Sequence, residues 1–133
     1  LVVDPTRRRA RAQPACLMPI VEVMLGQGVS DCQVADLAAV LPHAVSTAVE
    51  CPEEPYDGRL GPGDVELRFR SLGPHDSSGL DVTIEIRSKW FASRAENRQQ
   101  RCDAVLAAVT DVLNPLRVGV YLMLPVAAWS QTE

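Results

Sequence analysis

Asp64-Val65-Glu66-Leu67-Arg68-Phe69-Arg70-Ser71 and Leu80-Asp81-Val82-Thr83-Ile84-Glu85-Ile86-Arg87 are the stretches whose reading decides the fold. Each alternates apolar and polar residues with a period of two. Successive side chains of a strand point to opposite faces, so Val65, Leu67 and Phe69 share one face and Glu66, Arg68 and Arg70 the other. In the second stretch Val82, Ile84 and Ile86 stand opposite Asp81, Thr83, Glu85 and Arg87. Gly73-Pro74-His75-Asp76-Ser77-Ser78-Gly79 forms the turn cluster between them.

Upstream, Pro19-Ile20-Val21-Glu22-Val23-Met24-Leu25 is rich in β-branched residues and stops at Gly26 and Gly28, a strand signal. Ser30 is suited to cap a helix, with Asp31 and Asp36 in the early turns where the dipole favours acids. Val34, Leu37, Ala38, Leu41, Val45, Ala48 and Val49 follow at helical spacing, with Pro42 expected to interrupt and kink the helix. Cys51-Pro52 ends it, and residues 52–63, holding three prolines and three glycines, form a loop. Downstream, the spacing of Cys102, Val105, Leu106, Val109, Val112 and Leu113 predicts a second helix over about 94–113. Asn114-Pro115 stops it, and residues 118–124 form a last strand. The element order is therefore β-α-β followed by β-α-β.

A crossover of this length returns as a parallel strand with a right-handed connection. Two such units side by side predict an α/β (α+β) two-layer sandwich, with a four-stranded sheet carrying two helices on one face. Glu22, Glu66, Arg68, Arg70, Glu85 and Arg87 then occupy the opposite face. That face is either solvated or buried against further copies of the chain, with charges pairing across strands and subunits. The same element order also fits a ferredoxin-like small-molecule-binding regulatory module.

The chain has 133 residues, the size of one domain, and 47 % are hydrophobic. Residues 1–17 hold Pro5, Pro14 and Arg7, Arg8, Arg9 and Arg11 without amphipathic period, and read as a basic arm outside the core. The core domain is expected over 18–129, with 130–133 as a tail. Without the arm, nine basic residues face sixteen acidic ones, which argues against nucleic acid as a partner because such binding rests on cation–phosphate contacts. No run of apolar residues suggests a membrane span. Cys16, Cys32, Cys51 and Cys102 show no paired spacing, so reduced thiols and a cytoplasmic location are the expectation. His43 and His75 have no ligand-like spacing to carboxylates, and there is no phosphate-binding glycine loop. Neither a metal nor a cofactor is expected.

Met18-Pro19-Ile20-Val21 opening the first strand, followed by two β-α-β halves, resembles the tautomerase superfamily, particularly its 5-carboxymethyl-2-hydroxymuconate isomerase-like members. Arg94-Ala95-Glu96-Asn97-Arg98-Gln99-Gln100, after the strand 80–87, is similar to that family's Arg- and Gln-rich helix start. The resemblance implies a tautomerase or isomerase forming a homotrimer around its sheets. Its general base is a proline whose nitrogen is freed by removal of the preceding Met, and its arginines bind a small keto or enol carboxylate. Carried over, Pro19 is the base, Arg68 the strand arginine, and Arg70 and Arg94 further substrate-binding candidates. A free α-amine has a reference pKa of about 7.7–8.0, lowered by burial or cations, which suits a base at neutral pH. An acylated proline nitrogen cannot take a proton, and Pro19 is internal in this sequence, so the same resemblance also accommodates a non-catalytic trimer. On residues alone, Pro19 also fits a proline opening an edge strand. Likewise, Arg68 and Arg70 fit sheet-face ion pairs with Glu66 and Glu85.

Overall fold

The computed structural model describes residues 19–53, 60–128, 130 and 132. Its elements run β1 (Ile20–Leu25), α1 (Asp31–Val49), a 3-10 turn (Pro62–Asp64), β2 (Glu66–Ser71), β3 (Val82–Arg87), α2 (Ala92–Glu96), α3 (Arg98–Leu113) and β4 (Val118–Met123). The arm expected over 1–17 lies outside the described residues, as do Met18, Tyr56 and Trp129.

The sheet order is β2-β1-β3-β4, with β1 parallel to β2, β3 parallel to β4, and an antiparallel seam between β1 and β3. Half a turn about that seam carries one β-α-β unit roughly onto the other. β1 and β2 are direct hydrogen-bonded neighbours, so the β-α-β unit is not split by an inserted strand. That feature rules out the ferredoxin-like arrangement. It also places Pro19 at the mouth of an interior strand, not an edge one.

Val21 and Val23 of β1 and Val82, Ile84 and Ile86 of β3 are fully buried against Leu37, Leu41, Val45 and Val49 of α1 and Val105, Val109 and Leu113 of α3. Each such aliphatic side chain contributes on the order of 1.5–3 kcal/mol by leaving water. Val65, Leu67 and Phe69 pack on the same core but stay half-buried, because β2 is an edge strand. The alternation seen in the sequence therefore gives the correct face.

α1 begins with a reciprocal capping box: Ser30 Oγ accepts from Gln33 N–H at 3.2 Å, and Gln33 Oε1 accepts from Ser30 N–H at 2.8 Å. Contrary to the expected interruption, the helix passes through Pro42 and continues to Val49. By length and composition α1 could cross a membrane, but Leu37, Leu41, Val45 and Val49 face the sheet as a core helix's would. Gly26 suits a close approach: its N–H donates to Asp81 C=O at 2.8 Å, and a Cβ there would stand a tight 3.0 Å from that oxygen. β2 starts at Glu66 because Asp64 closes a tight turn, its carboxylate accepting from Gly61 N–H at 2.8 Å. The helix expected over 94–113 starts earlier and breaks at Asn97, whose φ of −120° and ψ of 38° are non-helical. The Asn97 carboxamide accepts from Arg101 Nε at 2.6 Å instead of capping α3.

Candidate functional site

Pro19 precedes β1 directly and is buried. Its carbonyl accepts from Glu66 N–H at 2.9 Å, which fixes the backbone at this point against β2. Extending the β1–β3 register by one residue sets Pro19 across from Ser88. Ser88 N–H donates to Met123 C=O at 3.0 Å, toward β4, while the Pro19 carbonyl turns toward β2. The two residues therefore form a pair without mutual backbone bonds, the geometry in which facing side chains stand closest. Ser88 is 2 % exposed, and its hydroxyl has no hydrogen-bond partner among the described residues. No local motif in the sequence marks Ser88. Counting one residue beyond an antiparallel pair would have found it, once the pairing of strands was known.

Arg68 and Arg70 lie on the open face of β2. Glu22 is level with Arg68 on β1, and one Glu22 oxygen, Oε1, stands 3.5 Å from Arg68 and 3.8 Å from Arg70. Arg68 also donates to Glu66 at 3.0 Å. The expected pairing with Glu85 does not form. β1 lies between β2 and β3, so Glu22 intercepts the β2 arginines, and Glu85 pairs with Arg87 at 3.4 Å. Glu22 and Glu85 are directly opposite across the seam, a repulsive pair that these arginines offset. Pro19 and Arg68 are not brought together within one chain. Arg68 is level with Glu22, three residues past Pro19, about 10 Å along the strand at the usual rise, and on the other side of the sheet.

Arg94 occupies a different environment from the one expected of a substrate ligand. It is fully buried, with Nε donating to Val49 C=O at 2.7 Å and Nη1 to Lys89 C=O at 2.6 Å. Its guanidinium carbon lies 5.2 Å from the centre of the Phe91 ring. Arg101 donates to the carbonyls of Ala48 at 3.0 Å and Glu50 at 2.6 Å. Together these two side chains satisfy carbonyls at the end of α1, whose last turn has no basic residue of its own. Arg94 lies on α2 and Arg101 on α3, seven residues apart across the break at Asn97, and no local signal in the sequence pairs them.

Beside this clamp, Glu53 accepts hydrogen bonds from the Ser93 hydroxyl and from Ser93 N–H, which hold its carboxyl below its ordinary pKa. Cys102 donates to Val120 C=O at 3.2 Å, and burial followed by the nearby Asp103 pushes its thiol above the ordinary value. It borders an open cleft of about 530 Å³ between Arg98, Gln99, Tyr121 and Leu122. Phe91 packs on Arg94, whereas Trp90 is 45 % exposed. Among the described residues no cluster of three or more His, Cys, Asp or Glu side chains could hold a metal.

No family model and no curated protein matches the sequence. Solved structures do match the fold. Malonate semialdehyde decarboxylase, described with decarboxylase and hydratase activities, superposes with a TM-score of 0.59 at 18 % identity, over 86 % of this chain and 91 % of that one. A fused 4-OT wild-type asymmetric trimer gives 0.59 at 18 % identity, over 80 % and 86 %. A 5-carboxymethyl-2-hydroxymuconate delta-isomerase gives 0.57 at 14 % identity, over 88 % and 87 %.

Proposed function

We infer from the fold, which is that of the tautomerase superfamily, that this chain is a tautomerase-like protein moving a proton on a small keto or enol carboxylate. Pro19 serves as the base when its nitrogen is a free secondary amine. Arg68 binds the carboxylate, with Arg70 beside it. Ser88 stands opposite Pro19 across the seam between β1 and β3. Supporting this reading is the position of Pro19: it opens an interior strand, directly opposite a buried hydroxyl with no hydrogen-bond partner among the described residues. We assign the arginines of one site to a neighbouring copy, since Pro19 and Arg68 diverge within one chain. That assignment calls for an oligomer, and a homotrimer in the cytoplasm is the form we propose.

The test compares the full chain with a chain beginning at Pro19, using the enol tautomer of an arylpyruvate. The full chain should be nearly inactive, because an amide nitrogen cannot act as a base, and the shorter chain should gain turnover. Pro19→Ala in the shorter chain keeps an amine but loses ring basicity, so activity should drop without vanishing. Equal background turnover by both chains ends the catalytic reading. It then favours a non-catalytic assembly of the same fold, which the internal amide of Pro19 also fits.

A further inference from the structure

We propose that Glu22 is an internal competitor for the anion site of Arg68 and Arg70, occupying in the free protein the place a guest carboxylate would take. This rests on the reading of those arginines given above. Arg68 and Arg70 are two residues apart on one strand face, so their backbones lie about 7 Å apart. Their guanidinium groups nevertheless converge on one oxygen, Glu22 Oε1, at 3.5 and 3.8 Å. Glu22 is held by an interior strand and its side chain is 19 % exposed, whereas the Arg68 and Arg70 side chains are 42 % and 60 % exposed. The fixed partner is thus the acid, and the movable partners are the arginines. With Glu66 on Arg68, the cluster is two cations against two anions and has no net charge to offer. A guest anion binds by drawing the arginines off Glu22, and its affinity is the difference between the two carboxylates.

Affinity of the full chain for malonate, measured by calorimetry, tests this. Glu22→Gln should tighten malonate binding by about threefold to tenfold, the scale of two exposed ion pairs released. Glu22→Asp, which keeps the charge, should stay near the starting affinity, and Glu66→Gln should tighten it less, because it frees Arg68 alone. Glu85→Gln removes an equal charge from the facing residue, but its partner is Arg87, so it should leave affinity unchanged.

If Glu22 merely scaffolds the arginines, Glu22→Gln weakens binding, and the proposal is overturned. Equal tightening by Glu22→Gln and Glu85→Gln also overturns it, because net charge then accounts for the effect. In both cases loss of binding in Arg68→Ala leaves the arginine site standing. Malonate binding that Arg68→Ala and Arg70→Ala do not change, or no binding by either the unaltered chain or Glu22→Gln, removes the proposal and the anion site together.

Discussion

Arg94 and Arg101 face backbone carbonyls in or near the core, while Arg68 and Arg70 face carboxylates on an open sheet face. Both pairs come from short basic stretches of similar character, and the fold puts them to opposite uses. A carbonyl partner is fixed in the backbone and cannot follow a departing cation, so the first pair is committed to the architecture. A carboxylate partner can be exchanged for another carboxylate, which is the basis for proposing the second pair as a ligand site. An arginine's function here follows from what it is bonded to, more than from its place in a motif.

Replacing Arg94 with Ala should have the largest effect. It strands the Val49 and Lys89 carbonyls in a buried setting, and urea unfolding should show a loss of about 3–5 kcal/mol. Arg94→Lys should recover less than half, because an ammonium lacks the planar fork that spans two carbonyls. A loss under about 1 kcal/mol would erase the distinction between the pairs. Next comes the double change of Arg68 and Arg70 to Ala. Stability should move by no more than about 1 kcal/mol, since exposed ion pairs contribute little. Carboxylate affinity should fall by the equivalent of about 1.5–3 kcal/mol, the loss of a charge-assisted partner.

Arg101→Ala should cost about 1–2 kcal/mol, less than Arg94, because its half-buried surroundings let water reach the Ala48 and Glu50 carbonyls. The smallest effect concerns Glu53, next to the clamp. Its folded pKa is lowered by Ser93, so its contribution is present above the ordinary carboxylate value and is lost as pH falls through the folded one. Ser93→Ala should raise the Glu53 carboxyl in an NMR titration and flatten the acid limb of the stability profile in that window.

The strands were legible because DVELRFRS and LDVTIEIR each satisfy one local rule, alternation, which needs no knowledge of neighbours. Ser30 was legible for the same reason: a cap acts within four residues. Arg94 was not, since its partner carbonyl at Val49 lies 45 residues away and nothing local marks it. The pairing of Arg68 with Glu22 instead of Glu85 depends on β1 lying between β2 and β3, and strand order is a property of the whole sheet. The break at Asn97 was hidden because no Gly or Pro marks it, and the apolar stripe from Cys102 onward lies wholly beyond it.

The seam between β1 and β3 relates two halves of similar shape, but the residues that open their first strands differ. Pro19 opens one; Asp81 opens the other, its carboxylate accepting from Arg117 N–H at 2.8 Å and its carbonyl from Gly26 N–H at 2.8 Å. The doubled scaffold is singly equipped. Each chain carries one proline position, and the counterpart half spends the equivalent place on anchoring its own strands. Stoichiometry follows from this asymmetry: an assembly of three chains holds three such positions, not six. With Pro19 as the base proposed above, activity in a mixed assembly should scale with the number of subunits bearing Pro19, with no second half to compensate for a lost one.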